Sequence, residues 1–570
     1  MRRYILALLC QLFIFQTFGQ NRESFGPPLK IPMFLAGNFG EIRSDHFHSG
    51  IDIKTMGTKG HRVFSVDKGY VSRIKVQANG YGNSIYISHP SGYTSVYGHL
   101  DKYRDDIAEY VKKVQYQKRS HMVDLYLNPG QFKLNKGDLI AYSGNSGSSS
   151  GPHLHFEIRT SGNQHPTNVL KYDFDIVDEV APRFFSLHID PIGTTSSVNG
   201  KSEKYASTLV KDNGIYTVPY GTHITASGTL GLSVEVFDYL NGVSNRCGVY
   251  SLEFFLDNEL IYSHVMDEFS FSETRYANAR MDYQERIHSG TITHRLYRLP
   301  NDRLHIYNKQ LSNDPIELKE NKVYKLRIVA SDVNGNKSEL SFQITGDQNV
   351  PTEKQYPPGF VKTMKYNVTN KYAHNEVVVE IPPYALYEDL DFTYNEFPGP
   401  PGALTKFFQI ASAGVPIYIP FTLSIRTSVS DPSLQEKLLL VYLNNDNEIE
   451  GAGGEFDNGE VTAHPRSFGK YAISLDTVAP EIISMDGILR GDISGRKAVR
   501  FTILDNLSGI DRYDGYIDNK WALFEYDLKN DMLTYTFDDE RMNNNSDHEL
   551  ELYVSDEKGN VSLFHTKFTW

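Results

Sequence analysis

The chain has 570 residues, 40% of them hydrophobic and 12% aromatic, which excludes a mostly disordered polymer and leaves room for about four domains of ordinary size. Its net charge of −13 argues against a broad basic surface, so no nucleic-acid partner is expected. With two cysteines it can build neither a disulfide framework nor a thiolate-rich zinc finger, and any metal site must use mainly histidine and carboxylate.

Arg2 and Arg3 precede an apolar run from Tyr4 to Phe18, followed by Gly19-Gln20 and polar residues. This is the pattern of an export signal over residues 1–20, shorter than the roughly 20 apolar residues of a membrane span. It implies export to the periplasm, the cell envelope or the medium. No later segment offers 18 continuous apolar residues, so the mature chain is expected to have no transmembrane span. Residues 21–165 then read as one domain of short strands with dense turns, including Tyr70 to Val76, Ser84 to Ser88 and Thr94 to His99. Within it, residues 101–133 differ. Ile107, Tyr110, Val111 and Val114 recur at helical spacing, which predicts an insertion carrying a short helix, with surface decoration as the default role and a lid or substrate selector as the alternatives.

From about residue 178 an internal repeat begins. Val180-Ala181-Pro182 recurs as Val478-Ala479-Pro480, Phe237 to Gly242 as Leu504 to Gly509, and Leu326 to Ser338 as Leu550 to Ser562. The copies, 178–346 and 478–570, are expected to be sandwiches of immunoglobulin-like type, the first with insertions. Their Asp-rich turns admit calcium, but turn capping by Asp is the simpler expectation. Residues 350–476 belong to neither copy and read as a further β-sandwich with no chemical hint.

Chemistry concentrates in three short segments: Asp45 to Asp52 (DHFHSGID), Tyr97 to Leu100 (YGHL) and Gly151 to Glu157 (GPHLHFE). On a strand, His153 and His155 share one face while Leu154 and Phe156 enter the core. Two histidines and one aspartate suffice for a catalytic zinc site with a position left for water, and further histidines remain for proton transfer. Each segment alone is weak. Their order and context, with G-x-F-G-x-x-R at Gly37 to Arg43, GYGN at Gly80 to Asn83 and SGNSG at Ser143 to Gly147, resemble the lysostaphin-type zinc metallopeptidases over about residues 37–160.

The resemblance implies that His48, Asp52 and His155 bind one zinc ion, with His99 and His153 beside it as catalytic histidines. It also implies an antiparallel β catalytic domain, which with the sandwiches read from the repeat and strand patterns gives an expected all-β chain: a catalytic domain followed by about three β-sandwich domains. The implied activity is hydrolysis of peptide bonds in bacterial peptidoglycan. Which of His99 and His153 is the general base stays open, as does the role of Glu157, either a partner orienting an imidazole or an exposed strand-end carboxylate. His46 is expected to be a loop residue, and Tyr97 either a cleft wall or a core residue. Residues 21–35 are a candidate inhibitory arm over the cleft. The alternative to an enzyme is a non-cleaving envelope scaffold that binds peptidoglycan or an envelope protein partner through the peptidase-like domain and the sandwich tail.

Overall fold

In the computed structural model, residues 25–347, 356–543 and 545–570 are described, and the expected export signal lies outside them. Strand makes up 46% and helix 7%, so the chain is all-β, as its turn-punctuated aromatic composition predicts. No helix among the described residues is long and apolar enough to cross a membrane.

The N-terminal domain is organised around strand His153–Thr160. Its Leu154, Phe156 and Ile158 are fully buried on one face, while His153, His155, Glu157 and Arg159 alternate with them. It pairs antiparallel with Ile51–Lys54 on one side and Tyr93–Gly98 on the other, in a nine-stranded sheet that continues through Ser84–Ser88 and Gly69–Val76. A three-stranded sheet of Arg62–Phe64, Leu139–Ser143 and Leu100–Tyr103 completes the domain. The candidate inhibitory arm is corrected here. Phe25, Leu29, Met33 and Leu35 are buried in the core of this domain, and Leu35–Gly37 pairs with Ile51–Lys54.

The insertion forms the predicted helix, Asp105–Lys118, with Asp105 and Asp106 favourably placed in its first turn. Ile107 and Val111 face the domain core. Its other residues meet the last sandwich: Lys112 pairs with Asp538 at 2.7 Å, Tyr116 meets Trp521 edge to face at 5.4 Å, and the Arg541 guanidinium lies 3.5 Å from the Tyr116 ring centre. The default expectation of surface decoration therefore gives way to a bracket joining the first and last domains.

The repeat seen in sequence recurs as a shared order of four strands, although the first copy is one eleven-stranded sheet and the second is two four-stranded sheets. In the first copy the strands run in the order Glu259–Val265, Ser251–Leu256, Val323–Ser331, Lys337–Gly346; in the second the order is Lys520–Ala522, Ile510–Ile517, Asp547–Asp556, Val561–Thr569. The first copy's extra length includes the short helices and strands between Val265 and Val323. Between the copies, a six-stranded and a five-stranded sheet enclose a core that includes Phe392, Phe408, Phe421 and Ile473. The first copy is also joined to the N-terminal domain through shared packing. Phe39, Ile42 and Phe47 enter the sandwich core, while Leu240 and Cys247 of the sandwich enter the N-terminal core.

Candidate metal centre

Antiparallel register sets Asp52 directly across from His155, and Gly98 across from His155 on the other side. His48 reaches the same point from the loop before strand Ile51–Lys54. Gly50, between them, must be glycine: a Cβ there would lie 2.2 Å from the Phe156 carbonyl oxygen. His99 follows strand Tyr93–Gly98 with φ of 58°, a conformation costly for a non-glycine residue, and this turn passes the chain into the three-stranded sheet.

His48 Nε2, His155 Nδ1 and Asp52 Oδ1 form a triangle with all three sides 3.0 Å. The outer atoms of each residue are already engaged. His48 Nδ1 donates to the Asn38 carbonyl at 2.8 Å, which leaves Nε2 of the neutral ring with a lone pair. His155 Nε2 faces Glu157 Oε1 at 2.8 Å, which leaves Nδ1 with its lone pair in the neutral ring. Arg43 donates to Asp52 Oδ2 at 2.8 Å, so Oδ1 is the oxygen turned inward. With both rings neutral, the three atoms that converge are all acceptors. That donor set fits zinc: tetrahedral bonds of about 2.0–2.1 Å place ligand atoms about 3.3 Å apart.

The electrostatics point the same way. Burial lowers the pKa of His48, favouring the neutral ring that a metal needs. Burial alone would lower His155 too, but the Asp52 and Glu157 carboxylates push it up to about 9, so a proton is drawn to the place a cation would take. Although burial opposes its charge, Asp52 is held well below the carboxylate range by His48, His153 and His155.

His153 and His99 flank the triangle. His153 Nε2 lies 3.4 Å from Asp52 Oδ1, and the two rings are 4.7 Å apart. His153 Nδ1 faces the Gly151 carbonyl at 2.8 Å, and His99 Nδ1 faces that of Ser146 at 2.8 Å. A carbonyl only accepts, so each Nδ1 carries its ring's proton, and in the neutral tautomer the lone pair is on Nε2. Burial, with His155 and His153 nearby, lowers His99 to about 3 and keeps it neutral.

Of the two expectations for Glu157, the orienting one matches its position. It is fully buried, and besides His155 it receives hydrogen bonds from Ser49 Oγ at 2.6 Å, Tyr81 Oη at 2.5 Å and Arg159 Nε at 2.5 Å. Burial would raise its pKa, yet Arg159 and His155 hold it far below the carboxylate range. Tyr81, from the GYGN segment, also stacks on His155 at 5.0 Å. No sequence rule singles out Tyr81, Arg43 or the Asn38 carbonyl; the GYGN and G-x-F-G-x-x-R segments are the signal for them. His46 pairs with Asp45 and is half exposed, outside the triangle. Tyr97 is a core residue, its hydroxyl bonded to the Val66 amide.

Residues 46–168 match the family model described as Peptidase family M23, and residues 361–476 match one described as a Zu5-like domain. An uncharacterized metalloprotease of Haemophilus influenzae is 32% identical over 123 residues, 22% of this chain and 20% of that protein. The DD-carboxypeptidase/endopeptidase Mpg of Neisseria meningitidis serogroup B is 28% identical over 115 residues, 20% of each. The chain thus spans about a fifth of the length of these curated relatives. Among solved structures, a zinc-containing peptidase from Vibrio cholerae aligns at 26% identity over 27% of this chain and 41% of its own, with a TM-score of 0.20. The catalytic domain of lysostaphin from Staphylococcus simulans aligns at 22% identity over 23% of this chain and 82% of its own, with a TM-score of 0.17. Residues 46–168 are a domain of peptidase family M23, and the resemblance to lysostaphin-type metallopeptidases holds over this part of the chain.

Proposed function

We propose that the protein is an exported zinc endopeptidase that hydrolyses peptide bonds of bacterial peptidoglycan, in stem peptides or their cross-links. The observation that carries the reading is the triangle of three acceptors, His48 Nε2, Asp52 Oδ1 and His155 Nδ1, each 3.0 Å from the others. A zinc ion held there supplies Lewis-acid polarisation of a peptide carbonyl and a water acidified towards neutrality. Glu157 fixes the His155 ring, and Arg43 fixes the Asp52 carboxylate. His99 and His153 present Nε2 lone pairs beside the triangle, so this pair accepts the proton of the attacking water and returns it to the leaving amine. The peptide-bond specificity in the printed name of the Neisseria relative, a DD-carboxypeptidase/endopeptidase, supports a wall peptide as substrate.

The test is mass spectrometry of the products released from intact sacculi, run beside a proteome-derived peptide library. Wild type is expected to release peptide-cleaved wall fragments, and His153→Ala to release them roughly 10²- to 10⁴-fold more slowly while keeping its zinc. Cleavage of the library alone would overturn the wall substrate. Zinc-loaded wild type that binds sacculi and cleaves nothing would overturn the enzyme and favour the scaffold.

A further inference from the structure

Away from the cleft, two groups of three aspartates each bring carboxylate oxygens within 4.8 Å of one another: Asp178, Asp238 and Asp332, and Asp476, Asp505 and Asp556. They hold corresponding places in the repeat. Asp178 and Asp476 come two residues before Val-Ala-Pro, Asp238 and Asp505 open the D-x-L-x-G turn, and Asp332 and Asp556 open D-x-x-G-N. The surroundings repeat as well. Asn336 Nδ2 donates to the Asp178 carbonyl at 3.2 Å and to Asp332 Oδ2 at 2.6 Å; Asn560 Nδ2 donates to the Asp476 carbonyl at 3.1 Å and to Asp556 Oδ2 at 2.7 Å.

Turn capping accounts for part of this. Asp505 Oδ2 accepts from the amides of Leu507 and Gly509 at 3.0 and 2.7 Å, an ordinary capping role. Backbone amides likewise cap Asp178 Oδ1, Asp332 Oδ1, both oxygens of Asp476 and Asp556 Oδ1, but capping does not account for one oxygen in each group. Asp238 is only 2% exposed and its Oδ1 is buried with no hydrogen-bond partner, and Oδ1 of its counterpart Asp505 is likewise buried without one. An unpaired buried carboxylate oxygen carries a large desolvation penalty, and here it recurs at the same position of both copies. The charges acting on Asp238 are those of Asp178 and Asp332, both of its own sign.

Each group also lies at a domain junction. Leu240, in the turn opened by Asp238, packs into the peptidase core; Leu507, in the turn opened by Asp505, packs against Leu439 and Val441 of the preceding domain. The third aspartate of each group belongs to the segment by which the chain enters the sandwich.

We propose that each triad binds one calcium ion, giving the chain two calcium sites, one at each join between a repeated sandwich and the domain before it. The all-oxygen donor set selects a hard cation over zinc. Calcium suits it better than magnesium, because magnesium keeps several waters and near-octahedral order whereas calcium accepts irregular carboxylate and carbonyl cages. The ion satisfies the orphaned oxygens and fixes each sandwich against its neighbour. Affinity is expected in the weak range of extracellular modules, a dissociation constant on the order of 10⁻⁴ to 10⁻³ M.

Equilibrium dialysis of the full-length, zinc-loaded protein against radioactive calcium at roughly 5 mM, above that range, tests this. Wild type is expected to retain two ions, Asp238→Asn one, Asp505→Asn one, and the double variant none. Because either variant could misfold, the wild type is also melted: its midpoint should rise with calcium and not with the same concentration of magnesium. Fewer than two ions on the wild type, an unchanged count in either folded variant, or a midpoint indifferent to calcium would overturn the proposal.

Discussion

The cleft triad and the junction triads are alike in proximity, each a set of three side chains with ligand atoms within 4.8 Å, but their neighbours differ. In the cleft, the outer atoms of His48, His155 and Asp52 are tied to a carbonyl, a carboxylate and a guanidinium, so the inward atoms are lone pairs of mixed nitrogen and oxygen. Two further histidines, His99 and His153, lie beside them with their rings 4.7 Å apart. At the junctions all donors are oxygen, the partners are backbone amides and asparagine, and the turns anchor leucines in the domain before. Closeness of acidic groups alone says little; the groups behind them separate a site for chemistry from one for fastening domains.

The comparison can be broken most severely at its centre. His155→Ala should remove zinc from the cleft entirely and hydrolysis with it, as read by metal analysis and fragment release; activity that survives would show that the triangle is not the catalytic centre. His153→Ala should keep zinc but lower turnover by roughly 10²- to 10⁴-fold, the worth of a general acid–base group, in single-turnover kinetics. Glu157→Gln sharpens the claim about neighbours. It keeps the shape and removes the charge that orients His155, so zinc affinity should fall by about 10- to 100-fold in competition with a chelating dye.

Smaller effects are expected at the bracket between the first and last domains, which neither kind of site touches. His121 Nδ1 accepts the Tyr526 amide at 3.2 Å, and burial lowers its pKa to about 4. The unfolded value lies near 6.5, so its contribution is full above about pH 6.5 and is lost as the pH falls towards 4. Hydrogen exchange across the helix Asp105–Lys118 should therefore speed up on acidification, beyond the intrinsic pH dependence of exchange. Tyr116→Ala, which removes the contacts to Trp521 and Arg541, should cost about 1 kcal/mol in denaturant unfolding and leave zinc content unchanged.

Much of the cleft is legible in the sequence because its histidines and aspartate sit in short motifs whose order is distinctive. The alternation H-x-H-x-E on one strand is enough to place His153, His155 and Glu157 on a common face. What it leaves open for Glu157 is burial, which depends on Ser49, Tyr81 and Arg159 converging from elsewhere. The repeat is legible for a similar reason, since turns such as D-x-x-G-N need particular residues at fixed offsets. The insertion shows the limit. Its helix is readable from the spacing of Ile107 and Val111, but the partners of its outer face, Asp538, Trp521 and Arg541, lie about 400 residues further on, and no local pattern announces them. The orphaned oxygens of Asp238 and Asp505 are likewise invisible without packing, which is why turn capping is the simpler sequence reading.

The central claim, that the three converging acceptors are a zinc site, is tested most directly by anomalous diffraction at the zinc edge from crystals of the full-length protein. The account predicts one strong peak within bonding distance of His48 Nε2, Asp52 Oδ1 and His155 Nδ1. A zinc-loaded crystal with no peak there, or with its peak on other residues, would contradict it.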